Sequence, residues 1–269
     1  MVASLSFVAT HARAAVVIPF YNEERRFDRT RLMELASDPA VEILAVDDGS
    51  RDRTPELIAE VAAASKGKIE LLKLEKNAGK GEAVRRGMQH VVRSGHRTVG
   101  FTDADFSTRP KELLSLLARI DEQDDLDVLI GSRVALVGRN VERKAMRHYL
   151  GRMFATIAAN ILRTPFYDTQ CGAKFFRVTP SLEAALSDRF VSRWAFDVEL
   201  LGRLLIGTSP VPGVPIERVR EVPLEEWVDA GGSKVTSAAM LKTLGDLARI
   251  EIELEKRRRA ARRGRRRGY

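Results

Sequence analysis

The stretch FTDADFSTRP, residues 101–110, places two carboxylates, Asp103 and Asp105, one residue apart at the end of an apolar run. In an extended chain, residues i and i+2 face the same side, so both carboxylates can converge there. Such a pair suits a hard divalent cation: Mg²⁺ and Mn²⁺ take oxygen ligands and often use only one or two carboxylates, completed by phosphates and water. The same stretch also reads as a strand-to-helix turn in which Asp105 or Ser107 caps a helix starting near Pro110. On these residues alone both readings stand.

Other reactive side chains occur in the same kind of place. The runs AAVVIPF (14–20), VEILAVD (41–47), IELLKL (69–74), TVGFTD (98–103) and LDVLIGS (126–132) are short and apolar, as buried strands are. They end in PFYNEE, VDDGSRD, LEKNAGKG, FTDADFS and IGSR, which set Tyr21, Glu23, Asp47, Asp48, Lys80, Asp103, Asp105 and Arg133 at successive run ends. Helical patterns at about 28–36, 54–65, 80–94 and 110–120 lie between the runs. Alternation of this kind predicts βαβ units, hence an α/β fold with a mostly parallel, Rossmann-like sheet flanked by helices. Ligands of such sheets bind outside the carboxyl ends of the strands, where these residues sit. No GxGxxG follows the first run, which disfavours a dinucleotide site, and no Walker A motif occurs.

The second half differs. Residues 142–166 read as an amphipathic helix with Met146, Leu150, Met153, Phe154, Ile157, Ile161 and Leu162 in one stripe, bordered by Arg143, Lys144, Arg147, Arg152 and Arg163. That pattern suits a core helix, and also one lying in a membrane interface. Beyond it come YDTQCGAKFF (167–176), a helix near 195–207, an extended piece near 214–223, WVDAGGSKV (227–235) and a helix over 236–255.

The net charge is +8, but residues 256–269 hold nine Lys or Arg and no acid, so what precedes them is close to neutral. The basicity belongs to this Arg-rich stretch, expected to be a disordered tail that meets an anionic surface, lipid headgroups or RNA. The single cysteine, Cys171, excludes an internal disulfide and reads as a small buried residue in a reducing compartment. His11, His90, His96 and His148 show no metal-ligand spacing. The first fifteen residues carry no long apolar core of a secretory signal. The best apolar stretch, residues 153–162, is about half of the roughly 20 residues a spanning helix needs. Any membrane association is therefore expected to be peripheral.

The ordered set P-F-Y-N-E (19–23), V-D-D-G-S (46–50), N-x-G-K-G (77–81), D-A-D (103–105), G-S-R (131–133) and D-T-Q-C-G-x-K (168–174) resembles the inverting family 2 glycosyltransferases of GT-A fold. Among these the chain looks most like dolichyl-phosphate β-glucosyltransferases and their polyprenyl-phosphate relatives. The likeness spans roughly residues 14–235. It implies a GT-A domain over 1–235, with a nucleotide-sugar half at about 14–133 and an acceptor half at about 134–235.

It further implies that Tyr21 stacks on a nucleobase, that Glu23 and Asp48 accept hydrogen bonds from base or ribose, and that Pro19 and Val46 line that pocket. Asp103 and Ala104 would lie near the ribose, and Asp105, with Asp103, would ligate Mg²⁺ or Mn²⁺. Lys80, Arg133 and Lys234 would bind phosphate, with Asp168 an orienting group or base. The implied partners are a nucleotide-sugar donor such as UDP-glucose, a polyprenyl-phosphate acceptor and an anionic membrane surface at the cytoplasmic face, with no nucleic acid. The chain departs from the mannose synthases at Val228, where they carry an arginine six residues before the lysine matched by Lys234. No stretch matches the N-terminal anchor of the eukaryotic glucosyl enzymes or the C-terminal membrane helices of other relatives, so attachment is expected through 142–166 and the basic end. A soluble acceptor is the alternative, and nucleic-acid binding through the tail a more distant one.

Overall fold

The structure is a computed structural model that describes residues 14–134, 140–141, 145–228 and 237–267. Each expected apolar run forms a strand: β1 (Ala14–Phe20), β2 (Val41–Asp47), β3 (Ile69–Lys73), β4 (Thr98–Phe101) and β5 (Val128–Ser132). Between them lie α1 (Arg29–Ala36), α2 (Thr54–Ala64), α3 (Lys80–Arg93) and α4 (Pro110–Glu122). The second half adds β6 (Asn140–Val141), α5 (Ala145–Leu162), β7 (Lys174–Arg177), α6 (Pro180–Leu186), α7 (Phe196–Ile206), β8 (Val219–Pro223), β9 (Glu226–Trp227) and α8 (Ser237–Arg267).

One sheet of seven strands in the order β3-β2-β1-β4-β7-β5-β8 organises the molecule, and β6 and β9 pair separately. Its pairings are parallel except at β7, which runs antiparallel to both β4 and β5. β7 and β8 of the second half complete the sheet begun by the first.

Apolar runs without alternation are what a sheet buried on both faces requires. Side-chain parity divides them. Ala15 and Val17 of β1 join Leu44 and Val46 of β2 in a core shared with α3, α5, α7 and α8. Val16, Ile18 and Phe20 join Ile43 and Ala45 in a second core against α1, α2 and α4.

The basic end departs from expectation. Helix α8 continues through 256–267 instead of giving way to a disordered tail. Arginine is a good helix former, and this segment has tertiary partners. Arg257 pairs with Asp188 at 2.7 Å, Arg258 donates to the Ile161 carbonyl, and Ala261 is buried. Among the described residues no helix is long and apolar enough to cross a membrane.

Candidate active site

Polar residues that follow β2, β3, β4 and β5 come together at one rim of the sheet. The turn after β4 sets the geometry. β4 ends at Phe101, and the Phe106 amide closes a turn on the Asp103 carbonyl at 3.1 Å. Asp103 and Asp105 thus converge through a turn, not through strand alternation. The helix-cap reading is not realised: α4 begins after Arg109 with no side-chain cap, and Asp105 Oδ1 accepts the Ser107 amide at 2.9 Å within the turn.

Lys80, the first residue of α3, reaches this turn, its Nζ 2.5 Å from Asp103 Oδ1. Burial alone would push the Lys80 ammonium down; Asp103, Asp197 and Asp105 outweigh it and hold it above the ordinary lysine value. Burial likewise works against the charge on Asp103, yet Lys80, Arg133 and Lys174 hold its carboxyl below the usual range. Both groups are charged near neutrality. Gly172 admits this arrangement, because a Cβ there would meet the Asp103 carboxylate at 2.6 Å.

The loop carrying Lys80 is fixed by Asp48. Its carboxylate accepts the Ala78 amide at 2.7 Å, the Gly79 amide at 2.8 Å and Asn77 Nδ2 at 2.9 Å. Burial pushes the Asp48 carboxyl up, against the pull of those amides. Asp48 is buried and turned onto its own protein, so the structure gives it a loop-holding position instead of an open one facing a base. Gly79 has φ of +97°, and a side chain there would strike Arg193, whose guanidinium donates to Asn77 Oδ1.

On the other side of the site, Arg133 and Asp168 take each other. Arg133 donates from Nε to Asp168 Oδ2 at 2.7 Å and from Nη2 to Oδ1 at 2.8 Å, a bidentate pair. The guanidinium also lies 5.5 Å from the Trp227 ring centroid. Asp168 receives further support from the amide of Gln170, while Glu221 accepts the amides of Tyr167 and Asp168. Both Asp168 carboxylate oxygens are thereby turned onto Arg133.

The remaining predicted residues fall as follows. Tyr21 and Pro19 are half-buried at the end of β1, and Ala104 is half-buried in the turn. Glu23 turns its carboxylate to Arg26, with contacts of 2.9 and 2.7 Å, while its amide donates to Thr54. Val46 is fully buried, and a Cβ on Gly87 of α3 would meet its side chain at 2.9 Å. Asp47 accepts the Ser50 amide at 3.2 Å. Lys234 lies outside the described residues. Cys171 is buried, and burial, then the charge of Asp168, pushes its thiol up to about 11, so it is no nucleophile.

Sequence reasoning missed the pair beneath the site. Lys174 is fully buried, with Nζ 2.6 Å from Asp197 and donating to the Cys171 carbonyl. Its place at the end of D-T-Q-C-G-x-K was a signal; nothing in the run around Asp197 distinguished that acid from an ordinary first-turn residue. Arg193 and Trp227 were missed for the same reason.

Carboxylates, a lysine held charged and an arginine held in place on a GT-A-like rim fit a site that handles phosphates. Residues 15–182 match the family described as Glycosyl transferase family 2. The chain belongs to that family. As a family 2 glycosyltransferase it is 33% identical over 262 residues to a dolichyl-phosphate beta-glucosyltransferase of Trichomonas vaginalis, covering 91% of this chain and 73% of that one. It is 30% identical to the dolichyl-phosphate beta-glucosyltransferase of Homo sapiens, covering 81% and 72%. It is also 30% identical to the polyprenol monophosphomannose synthase of Mycolicibacterium smegmatis, covering 76% of each. Glucosyl-3-phosphoglycerate synthase from Mycobacterium tuberculosis in complex with UDP superposes with a TM-score of 0.63 at 17% identity, covering 89% of this chain and 80% of that one. Its complex with Mn²⁺, UDP and glucosyl-3-phosphoglycerate gives 0.61 at 16%, covering 92% and 80%. At that identity the likeness shows the GT-A fold.

Proposed function

We propose that this glycosyltransferase moves glucose from UDP-glucose to the phosphate of a polyprenyl lipid, inverting the anomeric carbon. The observation that carries the reading is identity of 30–33% with lipid-phosphate glycosyltransferases over 76–91% of this chain.

The site's chemistry supports it. A nucleoside diphosphate leaving group needs its developing negative charge neutralised. Lys80 is kept charged for that role and held in place by Asp103 and by the loop tied to Asp48. Arg133, oriented by Asp168, is the second donor, and its planar fork matches phosphate oxygens. Tyr21, at the end of β1, is assigned to stack on the base, with Pro19 and Glu23 beside it. The donor set fits a divalent cation of the kind that shares its shell with phosphates. Among the described residues no group of three His, Cys, Asp or Glu can hold a metal by itself, but Asp105, and Asp103 beside it, supply hard oxygens at the rim. Mg²⁺ or Mn²⁺ held there would offset charge on the leaving diphosphate. The acceptor needs little help from a base, because a phosphomonoester with a second pKa near about 6 is already anionic at neutral pH. Its oxygen attacks from the face opposite the diphosphate, which gives a β-linked product from an α-linked donor. Work at a lipid acceptor places the protein peripherally at the cytoplasmic membrane face, with α8 supplying cationic charge.

The test is transfer of labelled sugar from UDP-glucose, GDP-mannose and UDP-GlcNAc to a long-chain polyprenyl phosphate, scored by extraction of product into organic solvent. Label in the organic phase with UDP-glucose supports the proposal. Label that stays in water, on a soluble phosphate or saccharide acceptor, overturns it.

A further inference from the structure

Outside the site the described residues hold buried ion pairs that brace the fold, a cavity of about 370 Å³ between α5, α7 and α8, and an exposed apolar patch between α6 and α7. The cavity is closed on one side by Arg258, whose guanidinium is committed to Glu255 and the Ile161 carbonyl, and nothing marks an occupant. The patch carries more.

Residues 187–195, between α6 and α7, hold two of the five exposed large hydrophobic residues among the described ones: Trp194 at 54% and Val191 at 43%. Arg189 and Arg193 alternate with them and are also exposed. The inward residues are firmly anchored. Phe190 lies 5.7 Å from the Phe196 ring and 4.8 Å from the Arg203 guanidinium. Ser192 Oγ donates to Asp246 at 2.8 Å and accepts the amides of Trp194 and Ala195. The Val191 amide donates to Glu199 at 2.8 Å, and the Arg189 carbonyl accepts from Arg203 at 2.7 Å. A loop this well tied presents Trp194 and Val191 outward as a fixed feature, not through slackness. It also adjoins the active site, since the Gly81 amide donates to the Arg193 carbonyl at 3.1 Å, one residue beyond Lys80.

We propose that residues 189–194 dock on an anionic lipid bilayer and set the mouth of the site against it. Tryptophan beside arginine, apolar body with a polar edge and fixed charge around it, is the composition that partitions into a headgroup layer. Arg189 lies 3.6 Å from Glu82, which Arg85 and Arg86 already hold, and the exposed Asp188 beside it is paired with Arg257, so Arg189 and Arg193 leave the outer face net cationic. The choice of a bilayer over a protein partner rests on the lipid-phosphate reading above: an acceptor embedded in a membrane must meet a donor beside Lys80, and this loop is its neighbour.

The experiment uses the full chain with vesicles of phosphatidylcholine containing a minority of phosphatidylglycerol, some with brominated acyl chains. Trp194→Ala is expected to lower vesicle partition at least about tenfold, from the apolar area it removes, with transfer to a short water-soluble polyprenyl phosphate within about twofold. Brominated vesicles should quench the fluorescence of the unaltered protein more strongly than that of Trp194→Phe, which keeps an aromatic there and emits from Trp227 alone. Equal partition of the alanine variant, or equal quenching of the phenylalanine variant, overturns the proposal. So does loss of transfer to the soluble acceptor with partition unchanged, which would make Trp194 a substrate contact. The vesicle measurements do not depend on the acceptor: a protein that partitions through Trp194 yet glycosylates no polyprenyl phosphate refutes the proposed function and not this one.

Discussion

At the residue scale the site is a set of charges that fix one another. Lys80 and Asp103 shift in opposite directions, the lysine up and the carboxyl down, so each extends the other's charged range. The lysine's contribution to stability is present below its unfolded value and lost as pH rises through its raised folded value. The carboxylate's is present above its unfolded value and lost as pH falls through its lowered one. Neither transition falls between about pH 4 and 10. The pH profile of kcat/KM on a short polyprenyl phosphate is therefore expected to show one acid limb near about 6, from the acceptor phosphate. A limb that disappears in Lys80→Met would assign it to the protein instead. That variant should retain its melting temperature, because the pair is partly exposed, and lose about 10²–10³ in kcat. Asp105→Asn is expected to fall by a similar factor with Mg²⁺ or Mn²⁺ supplied; full activity would remove the metal assignment. For both, thermal melts separate chemistry from folding.

At the scale of elements, the informative contact joins β7 to α7. Lys174 and Asp197 are both buried, and removing one partner leaves the other charge uncompensated, at a cost of about 3–5 kcal/mol. Lys174→Met should lower the melting temperature by roughly 6–20 °C for a chain of this size. The double variant Lys174→Met with Asp197→Leu should recover most of that loss. Failure to recover would mean that the pair is needed for more than mutual neutralisation, as its influence on Asp103 and Lys80 allows.

At the scale of the molecule, α8 ties the basic end back to the body. Arg257 and Arg258 are engaged with Asp188, Glu255 and the Ile161 carbonyl, whereas Arg259, Arg262 and Arg263 are exposed. The two groups are expected to separate under mutation. Arg258→Ala should cost about 1–3 kcal/mol, read by denaturant unfolding. Replacing Arg259, Arg262 and Arg263 together by Gln should leave stability within error and weaken binding to anionic vesicles at low salt, by up to about 1 kcal/mol per charge. That loss should shrink as salt rises, because the charges are screened beyond about 8 Å at physiological ionic strength. Unchanged flotation at low salt would rule out an electrostatic role for the helix end.

The sequence by itself determined the strands and helices of the first half, the rim on which reactive residues gather, and the family. Those features are local: an unbroken apolar run such as VEILAVD must be buried on both faces, and the polar residues that end it must leave the core. The structure sets Lys80 and Arg133 near Asp103, at the strand ends where the sequence put them. Only the tertiary structure decided what those residues hold. It turned Asp48 onto the 77–79 loop and Asp168 onto Arg133, buried Val46, set β7 antiparallel between β4 and β5, and carried α8 through the arginines. Each outcome pairs residues tens of positions apart. A carboxylate's open valences look the same in sequence whether a ligand or a distant amide will fill them, and only the packed sheet brings the amide within reach.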